Sequence, residues 1–379
     1  MITIMNFNPQ CITYSQMNMI FNARIYYRRL TTWTRAYLIS RYFGIGTAEE
    51  LFGRLYLESL DIGNMLELIF GHENSNRYSQ LLSQFPIALR DLISAQLEGD
   101  TQAIQQNIDR MYLNVDQRAE FLEAMNPYWS KTSYQNLFDS YIQHTIEEAN
   151  AITSRDFSKD IEIFDEFTDL TDKMGDTFAQ GIYEYITTGQ PTAGLPPEQC
   201  ITYEEMDQIY DIRMFWFEFV TWVRIYMLSR YKGIGNEQEA LARLRKVPED
   251  YISSLKKIFG NKVPADYLQL FDQYIELISA FITAQLEGNT DEINRITRQL
   301  YQNADARAAA ITSINPRFWK EDEWRTRLYN NLRATIDEST TLLAADYARN
   351  IDIFRTLLDQ AESTSNYFAQ GLFNYLNFK

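Results

Sequence analysis

The chain has 379 residues, 45% of them hydrophobic and 14% aromatic, which is enough for two domains that each bury a core. A formal charge of −16 argues against nucleic acid as a partner, since that needs a basic face, and against anionic membrane surfaces. With only 15 Gly and 9 Pro, the composition favours long helices over many short strands and turns.

No stretch reaches the ~20 apolar residues of a membrane span; the most apolar, Met214 to Leu228, carries Glu218 and Arg224. Met1 to Gln10 has no basic segment followed by an apolar run, so no signal peptide is expected and the cytoplasm is the default compartment. Two cysteines, Cys11 and Cys200, are too few for a disulfide framework or a thiolate metal site.

Taken in order, the chain reads as one unit written twice. Gln10-Cys11-Ile12-Thr13-Tyr14 recurs as Gln199-Cys200-Ile201-Thr202-Tyr203, the cysteines 189 positions apart. Thr13 with Gln16, and Thr202 with Glu205, have capping-box spacing, and Ile12 with Met17 and Ile201 with Met206 have that of a hydrophobic staple, so a helix is expected to start at each Thr. Roughly 30 residues then run to Gly44-Ile45-Gly46 and Gly233-Ile234-Gly235, a helix of about 45 Å. It carries Trp33-Thr34-Arg35 or Trp222-Val223-Arg224 at its middle. Aromatic residues on several sides mark it as central. Gly44 and Gly233 read as C-caps, and Thr47 with Glu50, and Asn236 with Glu239, as the next starts.

A shorter helix to Phe70-Gly71 or Phe259-Gly260 follows, then a second long helix to Glu98-Gly99 or Glu287-Gly288. Two short helices are expected around Tyr112-Leu113-Asn114 and Tyr301-Gln302-Asn303, stopped by Asn126-Pro127 and Asn315-Pro316. The register slips by one residue here, so that Trp129 matches Trp319. A turn is placed near Asp156 and Asp346, where an unbroken helix also fits. The last helix shows a buried stripe at Phe157, Ile161, Phe164, Phe167, Met174, Phe178, Ile182 and Tyr185, echoed by Tyr347, Ile351, Phe354, Leu357, Phe368, Leu372 and Tyr375. The expected architecture is all-α: two tandem homologous helical bundles, each with about four long helices and short crossover helices, at residues 1–188 and 199–379. A Gly- and Pro-rich linker occupies 189–198.

The Trp-x-Arg helix, the Asp61-Ile62-Gly63-Asn64 segment, Asn-Pro with a following Trp, and Ala-Gln-Gly near each end resemble a group of small all-helical Firmicutes proteins. Those proteins usually contain one copy and often carry names such as acetylglutamate kinase that no motif supports. The resemblance implies the fold and says nothing of chemistry. This chain departs from it by being duplicated, by the cysteines at its caps, and by keeping Asp-Ile-Gly-Asn only in the first copy.

Chemistry has few residues to stand on. His72 and His144 lack the Glu three positions earlier that a ferritin-like di-iron site uses, and neither recurs in the second copy. Glu218 would be a tempting ligand, but its counterpart is Arg29. Gly-Ile-Gly has neither the Lys-Ser/Thr of a P-loop nor a strand before it. No metal and no cofactor is expected.

Polar residues that recur are the better lead. Arg24 and Arg35 match Arg213 and Arg224, Asp156 matches Asp346, and Asp116 with Arg118 matches Asp305 with Arg307. Arg24 and Arg35 are eleven apart and share a helix face. They serve either as ion pairs with acids of neighbouring helices, which fix the packing, or as an anion pocket. Cys11 and Cys200 are either inert thiols, an internal bridge or an intermolecular cross-link. The function expected is that of a non-enzymatic structural or self-associating protein, its main partner a second copy of itself. The alternative is a small-ligand or metal-binding bundle, ferritin-like in shape without the di-iron motif.

Overall fold

The computed structural model describes residues 11–187 and 200–377. The chain divides into two compact units, Met1–Cys200 and Ile201–Lys379. The expected linker at 189–198 lies outside the described residues. The described residues are helical almost throughout; the exceptions are turns and a minor sheet of two-residue strands, β1 (Ile12–Thr13) and β2 (Cys200–Ile201).

The first unit contains α1 (Tyr14–Tyr42), α2 (Ala48–Asn64), α3 (Glu67–Leu82), α4 (Gln84–Glu98), α5 (Thr101–Met125), α6 (Lys131–Ser154) and α7 (Phe157–Thr187). α1 is the central rod. It packs on α7, α2, α6 and α4, and every residue from Leu30 to Arg35 is buried, so no face of it meets solvent there. The second unit contains α8 (Tyr203–Lys232), α9 (Glu237–Phe259), a 3₁₀ turn (Gly260–Lys262), α10 (Tyr267–Leu286), α11 (Thr290–Ile314), α12 (Glu321–Leu343) and α13 (Tyr347–Asn377). Its central helix, α8, is buried without interruption from Phe219 to Ser229 and packs on α9, α13, α12 and α10.

Both capping boxes form. Thr13 Oγ1 accepts from Gln16 N and the Gln16 side chain accepts from Thr13 N at 2.8 Å; Thr202 and Glu205 do the same, the return bond being 2.9 Å. The next pair of expected caps does not form. Thr47 Oγ1 is drawn instead to Ser40 Oγ at 2.6 Å, and Asn236 makes no side-chain cap bond either. A buried hydroxyl takes whichever partner lies closest, and here that is the helix just ended.

Two other expectations need correction. The region around Tyr112 and Tyr301 is not two short helices but one, α5 and α11, each of 25 residues. The mid-helix asparagines do not break them, because Asn114 Nδ2 and Asn303 Nδ2 each donate at 2.8 Å to a carbonyl of a neighbouring helix, Leu81 O and Leu270 O. The second long helix is continuous only in the second unit, as α10. In the first it breaks at Ser83 into α3 and α4, with Pro86 in the opening turn of α4, where its missing amide costs nothing. Around Asp156 and Asp346 the chain turns: Arg155 and Ala345 adopt left-handed φ of 59° and 55°.

The Ala-Gln-Gly motif acquires a reason here. A Cβ on Gly181 would lie 1.8 Å from Trp129 Nε1, and one on Gly371 would lie 2.0 Å from Trp319 Nε1. Each indole lies flat against the last helix, stacked on Phe178 or Phe368 at 5.0 and 4.6 Å between centroids. Asn126 Nδ2 and Asn315 Nδ2 clamp the same turn, donating to Gly181 O and Gly371 O at 2.9 and 3.1 Å. Asn-Pro with its following Trp, and Ala-Gln-Gly, are thus two halves of one contact.

Candidate functional site

The repeated arginines of α1 face α7. Arg24 grips Asp176 with two parallel bonds, Nε to Oδ1 at 2.6 Å and Nη2 to Oδ2 at 2.8 Å. Arg28, one turn on, reaches Asp172 at 3.3 Å. Arg35 sits deepest, 2% exposed, between two carboxylates. Its Nη1 donates to Glu148 Oε1 of α6 at 2.5 Å and to Asp160 Oδ1 of α7 at 2.7 Å, and its Nη2 donates to Asp160 Oδ2 at 2.6 Å. The guanidinium also lies 4.6 Å from the centre of the Phe164 ring.

The second unit repeats the geometry with less charge. Arg224 Nη1 donates to Glu338 Oε1 at 2.5 Å and to Asn350 Oδ1 at 2.8 Å, with Phe354 4.4 Å away. Asn350 replaces Asp160, and its Nδ2 donates at 3.0 Å to both Glu338 O and Thr341 Oγ1. Arg213 meets Ser365 Oγ at 3.1 Å and Asn366 Oδ1, where Arg24 met an aspartate.

Electrostatics follow from burial. Glu148 is held well above the ordinary carboxylate range by its burial, and the Asp160 charge adds to the rise, while Arg35 opposes it. Glu338 is raised by burial, again opposed by Arg224. The second oxygen of each carboxylate, Glu148 Oε2 and Glu338 Oε2, has no hydrogen-bond partner. Arg35 is held above the usual guanidinium range: burial works against its charge, and Asp160 and Glu148 more than compensate.

Of the residues singled out in the sequence, Arg24, Arg35 and Arg224 enter ion pairs and Arg213 enters a neutral polar contact. Asp156 and Asp346 do not join them. Asp156 caps α7, its Oδ1 accepting from Lys159 N at 3.1 Å, and Asp346 O accepts from Asn350 N at 3.0 Å to start α13. The partner is one turn further along, at 160 and 350. Matching of identical repeats misses it because the residue changes from Asp to Asn. Glu148 and Glu338 do recur, and their signal was a single acid in an otherwise inward-facing row of α6 and α12.

The tempting ligand Glu218 lies 3.6 Å from Arg243 in a salt bridge, and its counterpart Arg29 pairs with Glu58 at 3.2 Å, so this position is bridged in both units with its sign reversed, to partners at different positions of the next helix. His144 Nδ1 lies 2.7 Å from Ser140 O, and His72 lies beside Glu67 on the surface. Among the described residues no group of three or more His, Cys, Asp or Glu is arranged to hold a metal ion. Cys11 and Cys200, both within the first unit, form a disulfide with Cα atoms 5.0 Å apart.

Fold and site together define an all-α protein of bundle units braced internally by buried arginines. No protein-family model matches the chain, and no curated protein or solved structure matches it.

Proposed function

We propose that the protein is a non-enzymatic structural element that associates with copies of itself. The observation that carries this reading is where the buried charges of the central layer go: Arg35 is spent on Glu148 and Asp160, and Arg224 on Glu338 and Asn350, side chains that lock three helices in register instead of facing a substrate. Supporting it, large apolar side chains stand in solvent at equivalent positions of the two units, Leu97 at 53% and Leu286 at 50% exposure. A chain rich in Arg and aromatics suits contact surfaces.

No helix among the described residues is long and apolar enough to cross a membrane. A bridge such as Cys11–Cys200 persists in an oxidising milieu and is rare in a reducing cytosol. We therefore read the working form as oxidised, which counts against the cytoplasmic compartment expected by default.

Size-exclusion chromatography with light scattering tests the proposal, run on the intact chain at micromolar concentration with and without reductant. Assemblies larger than one chain are expected, with Leu97→Lys plus Leu286→Lys shifting them towards monomer. A monodisperse monomer under both conditions would refute it. A second reading, a bundle that holds a small ligand in its interior, is favoured by one separate observation, developed next.

A further inference from the structure

Each unit also buries an arginine away from its central helix, with no acid in contact. Arg118 of α5 and Arg307 of α11 are the same residue of the two copies, 4% and 5% exposed, and neither forms a salt bridge. Arg118 lies 4.2 Å over the Phe138 ring, and Arg307 lies 4.5 Å over Tyr274. Asp139 acts on Arg118 from a half-buried position beyond salt-bridge distance; Arg307 interacts with Tyr274, Tyr267 and Tyr251. A guanidinium keeps its charge at any ordinary pH, so Arg118 and Arg307 each carry a positive charge into the interior with no acid in contact.

The groups around that charge are donors. In the first unit Tyr27, Tyr78 and Tyr134 interact with one another, and Tyr27 and Tyr78 also with Arg118. Tyr27 and Tyr78 hydrogen-bond to each other, while the Tyr134 hydroxyl and Arg118 Nε are buried without hydrogen-bond partners. Burial pushes all three tyrosines up, so each keeps its proton. In the second unit Tyr78 is repeated as Tyr267. Tyr27 and Tyr134 are replaced by Trp216 and Trp324, whose indoles stack at 5.4 Å and whose Nε1–H groups likewise have no acceptor. Trp216 lies edge-on to Tyr251, which hydrogen-bonds to Tyr267, and both tyrosines interact with Arg307. An indole N–H can only donate. The two copies have therefore changed side chains at two positions and kept a donor at both. One acceptor breaks the pattern: Asn114 Oδ1 is unpartnered, while its counterpart Asn303 Oδ1 takes Arg307 Nε at 2.9 Å.

We propose that each bundle binds one small monovalent anion in its interior, against Arg118 with Tyr27, Tyr78 and Tyr134 in the first unit, and against Arg307 with Tyr251, Tyr267 and the Trp216–Trp324 pair in the second. One guanidinium with no acid in contact is neutralised by a single negative charge, and a multiply charged anion would overshoot. The aromatic walls favour an anion that sheds its water readily, of the chloride, bromide or nitrate class. This is a different place from Arg35 and Arg224, whose charges are met by Glu148, Asp160 and Glu338. It does not depend on self-association.

The test uses the full chain, exchanged into sodium gluconate, with sodium bromide added at constant ionic strength. Bromide is expected to raise the melting temperature saturably, by roughly 5–10 °C at a hundredfold excess over its Kd. Crystals grown in bromide should show an anomalous peak within hydrogen-bond reach of each guanidinium. Arg118→Met should remove one peak and Arg307→Met the other. Should either fail to fold, Tyr78→Phe and Tyr267→Phe take one donor each and leave the rings in place, and they should weaken the bromide shift several-fold. The proposal is overturned if bromide acts no differently from gluconate, if its effect survives Arg118→Met plus Arg307→Met, or if ordered water alone meets the donors in bromide-grown crystals.

Discussion

Replacing Arg35 by Met is the most discriminating perturbation of the central layer, because the second unit supplies its own control. Arg35→Met leaves Glu148 and Asp160, 0% and 2% exposed at the side chain, facing each other with no counter-charge. Arg224→Met leaves one carboxylate, Glu338, and an amide whose Nδ2 keeps its bonds to Glu338 O and Thr341 Oγ1. Breaking a buried pair from one side costs about 3–5 kcal/mol. Arg224→Met should fall in that range, and Arg35→Met should exceed it by about 1–3 kcal/mol, the cost of one further unsatisfied buried polar group. The difference should also depend on pH. A carboxyl raised in the folded state holds its proton more tightly there than when unfolded. The stability it contributes is therefore full below the ordinary carboxylate range and is lost as pH rises through the folded value. Removing Arg35 takes away the group that opposes the rise of Glu148, so the variant should lose stability on going from about pH 5 to pH 8 more steeply than the parent. Urea denaturation at both pH values, followed by tryptophan fluorescence and circular dichroism, reads this directly. Equal costs for the two variants, or a pH-independent cost for Arg35→Met, would refute the argument. As an internal check, Arg35→Met with Glu148→Leu and Asp160→Leu should recover most of the loss, since an apolar replacement of a whole buried triad is tolerated.

Three further outcomes are expected. Asp160→Asn reproduces the second unit's Asn350 and removes the charge that adds to the rise of Glu148; it should fold and flatten the loss of stability between about pH 5 and 8, as read from melting curves across that range. Cys11→Ser opens a loop of 189 residues, worth about 5 kcal/mol at most in the chain-entropy account; the first unit's urea midpoint should drop while the second unit's holds, and reductant should have no further effect on the variant. Gly181→Ala should cost about 1–3 kcal/mol despite the better helix propensity of Ala, because its Cβ would enter the Trp129 ring, which lies against this face of the helix stacked on Phe178; a stabilised variant would mean the indole has room to move.

Much of the architecture was legible because it is local. The Thr-x-x-Gln and Thr-x-x-Glu caps, the glycines at positive φ, and the stripe through Phe164, Phe167, Met174 and Phe178 each announce themselves within one or two helical turns. Where local chemistry competes with tertiary contact, the reading failed. Thr47 looked like a cap and bonds Ser40 instead; the chain around Asn114 looked like two short helices and is one, with Asn114 bridging to Leu81. The central layer was half legible. Its arginines recur unchanged, but their partners lie more than a hundred residues away and alter between copies, Asp160 to Asn350 and Asp176 to Asn366. Arg118 and Arg307 were visible as repeats, yet nothing in the sequence says that no acid reaches them. That is a property of the packed interior alone.

The reversed bridge shows how such divergence is kept from doing harm, and it can be rebuilt. In the first unit Arg29 of α1 pairs with Glu58 of α2, and Glu58 Oε1 also accepts from Trp33 Nε1 at 3.1 Å. In the second unit the equivalent of Arg29 is Glu218, which pairs with Arg243 of α9, and Arg243 covers the face of Trp222 at 5.2 Å. The same tryptophan is thus held by a carboxylate in one copy and by a guanidinium in the other. Arg54 occupies the position of Arg243 and Val247 that of Glu58, so the first unit already contains half of the second arrangement. Arg29→Glu alone sets a new carboxylate against Glu58, whose burial already raises its pKa, and should cost about 2–4 kcal/mol. Adding Glu58→Val removes the repulsion, so the double variant should be more stable than the single one. The expected coupling is about 1–3 kcal/mol. If the two substitutions simply add, the bridge does not hold α1 to α2, and the matched reversal of sign between the copies has no energetic basis.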